Sequence, residues 1–366
     1  MLLYFWLLYL IIFPFQIFSP GSLQLADYVI IIGLIINHKQ VFKIGIKEKY
    51  SKILIYFCIY ALLVGSLFSV INLNFIFLKN PLNYIYCLLL LFFVITASNS
   101  IKFLKYTYIG IFASTLFQVI VLLVFGIDGE TGRMQLFFNN PNQLGFWGVN
   151  MFLILILLKT QTPFFYKYIY IPISLCVLFI LISISQAAIL CILLYFLFFI
   201  FLYFRKRFIL SIILFLSIII FSIKFYDTIT NFVIVKNAID RIDDDYSNDE
   251  LDDNGLEGRN YLRLINYPQY LIIGSGEGKN ERFGNKDMNE IHSSFANILF
   301  SYGFIGLILF IFPYLYILKS KNNFLIFCLL IYFVFTIVHS TLRWPLFWIL
   351  PYLTYHINLN KKYVRN

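Results

Sequence analysis

Runs of about 20 apolar residues follow one another along this chain, parted by short charged clusters, and each run is long enough to cross a bilayer as a helix. Twelve can be read, near residues 2–18, 23–37, 52–70, 82–97, 104–126, 143–158, 168–183, 187–204, 208–224, 291–318, 324–340 and 344–358. With 61% hydrophobic and 13% charged residues, the chain has too little polar side chain to cover a water-soluble globule. The expected fold is all-α: a polytopic integral membrane protein of about twelve transmembrane helices with one large outer loop. The division is an N-terminal bundle of about nine helices over 1–225, the loop with a short amphipathic helix over 226–290, and C-terminal helices over 291–366. The first run has no basic flank before it and no small-residue cleavage site after it, so it reads as a retained span and not as a secretory signal.

Short loops rich in Lys and Arg stay on the cytoplasmic side. Under the twelve-span reading one set of loops holds Lys39, Lys43, Lys47, Lys49 and Lys52, then Lys102, Lys105, Lys159, Lys167, Arg205, Lys206, Arg207, Lys319, Lys321, Lys361, Lys362 and Arg365. The opposite short loops hold only Lys79, Arg133 and Arg343. Both termini are therefore expected in the cytoplasm, and the long loop outside. Most carboxylates lie in that loop, so the net charge of +10 describes a belt facing anionic lipid and leaves no nucleic-acid footprint. All five cysteines fall inside apolar runs, which offers neither a disulfide framework nor a metal pattern.

Intramembrane charge is otherwise scarce, which weighs against an ion-coupled transporter. Asp27, about one turn inside the second run, is either a solvated anchor or a functional carboxylate. In the outer loop, "IDRIDDDYSNDELDDNG" reads as a solvated acidic segment, since a calcium loop would need Gly at its sixth position and Glu at its twelfth. Downstream, Leu256, Tyr261, Leu262, Leu264 and Ile265 recur at roughly helical spacing, the pattern of a short helix lying on the membrane surface.

On such a helix Arg259 and Arg263, four apart, share a face. They form either a bidentate clamp for a diphosphate or pairs with nearby carboxylates and lipid phosphates. The "GSGEG" turn, with Gly274 and Gly276, either wraps an anion with its amides or simply returns the chain to the membrane. In "DMNEIHSSFANILF", Asp287 and Glu290 have capping-box spacing. His292 stands at the threshold of an apolar run, and a polar cavity or the interface must receive it. A His facing a cavity can take a proton from a hydroxyl near neutral pH. In "TGRMQLFFNNPNQLGFWG", Asn140, Pro141 and Gln143 spell a helix start beside Arg133, a good seat for an anion, to which His339 and Arg343 could add.

Taken together, "FFNNPNQLG", "SISQAAIL", "GRNYLRLINYPQYLIIGSGEG" and "IHSSFANILFSYGFIGLILF" resemble the bacterial O-antigen polymerase and O-antigen ligase superfamily (Wzy/WaaL-type membrane glycosyltransferases), in family order over roughly half the chain. The resemblance implies a metal-independent, cofactor-free enzyme of the inner membrane that transfers glycan from an undecaprenyl-diphosphate-linked oligosaccharide at the periplasmic face. Besides this carrier and the bilayer, it suggests a chain-length regulator and a flippase as protein partners. Carried over by position, His292 takes the catalytic role, and Arg259 and Arg263 the diphosphate, with Arg133, Asn140, Asn142, Gly274, Gly276, Glu290 and Arg343 as further binding residues. Arg263 followed by ten residues and Gly274 is similar to a spacing in polymerase outer loops. Family members often carry Arg after the Ser of the segment that here reads Ser185-Gln186, and Gln186 supplies no charge. Polymerase is favoured over ligase by analogy with the more divergent polymerases. A repeat-unit flippase, the alternative of another class, would need polar groups through the bundle and no large outer loop.

Overall fold

The computed structural model describes residues 1–18, 21–125, 133–161, 168–204, 259–283, 290–319 and 322–359. The apolar run at 208–224, the acidic segment at 239–255 and Asp287 lie outside the described residues. Among the described residues the structure is helical, without strands. It comprises α1 (Leu2–Ile12), α2 (Leu25–Gly45), α3 (Lys49–Ile71), α4 (Ile76–Ser98), α5 (Phe103–Phe125), α6 (Pro141–Lys159), α7 (Tyr170–Ser183) and α8 (Gln186–Phe204). After the short α9 (Arg263–Asn266) come α10 (Ser294–Ile311), α11 (Tyr314–Leu318), α12 (Asn323–Val338) and α13 (Pro345–Leu359). Among the described residues six spans, with α10 and α11 counted together, are long and apolar enough to cross a membrane, and four shorter apolar helices accompany them. The molecule is thus an all-α, multi-pass membrane protein.

Local sequence sets most of the boundaries. Pro14 follows the end of α1 and stops the first run at Ile12, short of the expected residue 18, because proline has no N–H to continue the ladder. α2 begins with a capping box between Gln24 and Asp27, and the helix runs past the expected residue 37 to Gly45. α6 starts as the sequence predicts: the Asn140 side chain accepts from the Gln143 amide at 2.9 Å with Pro141 in the first turn. Gln143 in turn accepts from the Asn139 amide at 3.1 Å. Beyond its first turn α6 is buried from Leu144 to Leu158, which makes it the central helix.

Tight approaches explain the small residues. A Cβ on Gly145 would meet Ser185 and Ala188 at 2.9 and 3.0 Å, so the "SISQAAIL" turn packs directly on α6. Ile184 turns the chain there with φ 47°, between α7 and α8. Elsewhere, Trp6 Nε1 donates to Thr107 across α1 and α5 at 2.9 Å, and Tyr332 donates to the Phe347 carbonyl between α12 and α13 at 2.8 Å.

α10 is not the continuous span that its hydropathy predicts. Gly303 sits inside it at φ 65° and ψ −174°, which breaks the helix. The carbonyls of Phe300 and Ser301 accept instead from the amides of Ser275 and Gly276, both at 2.9 Å. The chain from Ile272 to Gly278 therefore docks against the break. A Cβ on Gly303 would lie 2.1 Å from the Ile272 carbonyl oxygen, and one on Gly274 2.3 Å from that of Ser301.

Candidate functional site

Polar helix ends meet at one end of the bundle. A cavity of about 870 Å³ opens there, within the range of small-molecule sites. The end of α1, the starts of α2, α4, α6 and α13, and the end of α12 supply its wall, joined by the residues leading into α10. The described basic connections, with Lys47, Lys102 and Lys319, lie at the other end of the helices.

Of the residues singled out by sequence, Glu290, His292, His339, Arg343, Asn140 and Asn142 line this cavity. Arg343 Nη2 donates to Glu290 Oε2 at 3.0 Å. Burial works against the Arg343 charge, but the Glu290 and Glu277 carboxylates outweigh it and raise its pKa. That pairing replaces the expected capping role of Glu290: the N-cap of α10 is Ser293, whose hydroxyl accepts from the Ala296 amide, and Glu290 stands before the helix. His292 donates its backbone amide to the Arg259 carbonyl at 3.2 Å, and its side chain is exposed into the opening. Desolvation and the Arg259 guanidinium push its imidazole below the ordinary value, against an upward pull from Glu290. His339 packs against Phe335 in a tilted ring pair with centroids 4.9 Å apart.

Arg133 does not line the cavity but supports it, with Nη2 donating to Asn142 Oδ1 at 2.9 Å and Nε to the Ser183 carbonyl at 3.3 Å. The helical clamp of Arg259 and Arg263 is not formed. Residues 259–262 are turns, α9 is only four residues long, and neither arginine lines the cavity. Arg259 Nη1 reaches the Val338 carbonyl at 3.4 Å, and Arg263, 2% exposed, lies 5.5 Å from the centre of the Phe283 ring. The anion-wrapping reading of Gly274 and Gly276 also meets a different geometry. The amides of Gly274, Ser275 and Gly276 donate to the carbonyls of Tyr270, Phe300 and Ser301.

Two residues that the sequence did not mark hold this region together. Glu277, 3% exposed, accepts from Tyr84 at 2.5 Å, Tyr302 at 2.9 Å and Asn297 at 3.0 Å. Burial, then Glu290, pushes its carboxyl up, while bonds from Tyr84 and Tyr302 and the charge of Arg343 pull the other way. Arg282 Nη2 donates to the carbonyls of Ser275 and Gly276 at 2.5 and 2.7 Å, and its guanidinium lies within 5.2 Å of the ring centres of Phe68, Phe77 and Phe283. Burial lowers its pKa to about 10. A Glu in a Gly-rich turn carries no sequence signal of burial, because its partners come from α4 and α10.

Fold and site together define a multi-pass membrane protein with a polar, His- and Arg-bearing cavity at one end of its bundle. A family model described as O-antigen ligase matches residues 171–311, from α7 to the end of α10. The match supports the Wzy/WaaL-type superfamily, whose members are membrane glycosyltransferase-like enzymes acting as polymerases or ligases. No curated protein matches the chain.

Proposed function

We propose that this chain is a polysaccharide polymerase that joins undecaprenyl-diphosphate-linked oligosaccharide repeat units at the periplasmic face of the inner membrane, with both termini in the cytoplasm. The observation that carries the reading is that His292 and Arg343 line one cavity, at the bundle end opposite the basic connections. In the reaction, a hydroxyl of the acceptor sugar gives its proton to the His292 imidazole as its oxygen bonds to the anomeric carbon of the donor. The bond from that carbon to the phosphate oxygen breaks, and the electron pair leaves with the carrier diphosphate. Diphosphate is already a competent leaving group, so stabilising its developing charge in a water-poor site is the main task. Arg343 is best placed for it: Nη2 is engaged by Glu290, while Nη1 faces the α1–α2 connection, 4.0 Å from where a side chain at Gly21 would begin. Arg259, whose backbone carbonyl accepts from the His292 amide, supplies a second positive charge that acts on His292. No metal or cofactor enters this scheme.

The ligase reading differs only in the acceptor, a lipid A core sugar, and the description of the matching family speaks for it. One experiment separates the two: a surface-polysaccharide gel of the source strain with the gene deleted and restored. A core bearing a single repeat unit identifies the polymerase. Bare core with polymer stranded on the carrier identifies the ligase. An unchanged ladder overturns both. Complementation by His292→Ala or Arg343→Ala at normal protein level is expected to fail.

A further inference from the structure

The wall facing Arg343 and His292 carries a carboxylate among amides. The α1–α2 connection and the first half of α4 line it with Gln16, Gln24, Asp27, Asn83 and Tyr86. The cations Lys79 and Arg343 approach it at Gly21, with Nζ and Nη1 3.8 and 4.0 Å from where a side chain there would begin. Asp27 is 8% exposed, and its carboxylate is held from two sides: Oδ1 accepts from the Tyr86 hydroxyl at 2.6 Å and Oδ2 from the Gln24 amide at 2.7 Å. A carboxylate offers roughly four acceptor positions, so these two bonds orient the group without filling it. A fixed carboxylate among amides repels a diphosphate and suits a neutral, hydroxyl-rich ligand, whose O–H···O⁻ bonds are short and strong.

We propose that Asp27 binds a hydroxyl of the acceptor sugar, so that the cavity is divided into an acceptor wall at the start of α2 and a leaving-group wall at Arg343. This rests on the transferase reading above and names the residue that holds the second substrate. Capping α2 does not require the cavity exposure; binding a sugar does.

The test separates donor from acceptor. A repeat-unit substrate whose attacked hydroxyl is methylated can only donate, and the same oligosaccharide on an alkyl glycoside without diphosphate can only accept. With the full chain in nanodiscs, Asp27→Asn keeps the shape and the bond from Gln24. It should raise KM for the acceptor-only compound roughly tenfold, the weight of a hydrogen bond to a charged group, while leaving KM for the donor-only compound within about twofold. Tyr86→Phe, which frees the carboxylate to turn, should move KM in the same direction by less. Equal rises in both constants, or none, would overturn the proposal. Binding of the alkyl glycoside, followed by saturation-transfer NMR, needs no turnover. Weaker binding by Asp27→Asn in a protein that shows no transfer would uphold the acceptor wall and sink the transferase reading. Equal binding by both proteins would sink the acceptor wall whatever the transfer assay shows.

Discussion

His292 can accept a proton only while its imidazole is neutral, so the direction of its pKa shift becomes a rate prediction. Desolvation and Arg259 lower it, and the neutral fraction therefore stays high until the pH falls below the ordinary histidine value of about 6.5. The acid limb of kcat/KM should lie below that value in the wild type. Arg259→Gln removes one lowering cause and should move the limb to higher pH, whereas Glu290→Gln removes the raising one and should move it lower. A limb that ignores both substitutions would separate His292 from the proton transfer. Arg343→Lys keeps the charge but loses the planar fork that meets both Glu290 and a phosphate, so kcat/KM should fall, by roughly tenfold or more if a charge-assisted bond is lost. At this scale the sequence was legible where a polar residue interrupts an apolar run: His292, Glu290, Arg343, Asn140 and Asn142 all reach the cavity. It misled at Arg259 and Arg263, because four-residue spacing puts two side chains on one face only where a helix exists, and residues 259–262 are turns.

The break in α10 is where an element departs from its pattern. "FSYGFIGL" reads as uninterrupted helix, since a single Gly in an apolar run carries no sign of its partner. That partner is 272–276, distant in sequence, whose amides take the carbonyls freed at Phe300 and Ser301. Gly303→Ala would place a Cβ 2.1 Å from a backbone oxygen at a positive φ. It should therefore lower stability by about 1–3 kcal/mol or more, seen as a fall in the thermal midpoint of the detergent-solubilised protein. Ala at Gly33, where the nearest atom is the ring edge of Phe93 at 3.0 Å, is the milder comparison. Glu277 pins the same junction. Removing its carboxylate in Glu277→Ala leaves the hydroxyls of Tyr84 and Tyr302 and the amide of Asn297 without their acceptor, and each such loss costs about 1–3 kcal/mol. The variant should fail to accumulate, while Glu277→Gln, which keeps one acceptor oxygen, should fold with a lowered midpoint. A Glu277→Ala protein as stable as the wild type would show that the cluster does not hold the loop to α4 and α10.

Across the whole molecule, the alternation of helix direction puts every cavity-lining helix end on one side and the described basic connections on the other. Hydropathy made most of this legible, because span length and charge asymmetry are global properties that tolerate local errors such as the early stop of α1 at Pro14. What hydropathy could not reveal is which helix ends converge, since that depends on packing at Gly145, Ser185 and Gly303. The arrangement makes the topology directly testable. The five native cysteines are all buried within the bundle, so introduced cysteines can be read against a quiet background. Leu73→Cys, in the 92% exposed turn between α3 and α4 on the cavity side, should react in intact cells, once the outer membrane is permeabilised, with a maleimide that cannot cross the inner membrane. Lys47→Cys, exposed between α2 and α3 on the basic side, should react only after the inner membrane is opened. The reverse pattern would put the cavity in the cytoplasm. A carrier-linked glycan awaiting transfer at the periplasmic face could not then enter it, and the proposed reaction would fail with the orientation.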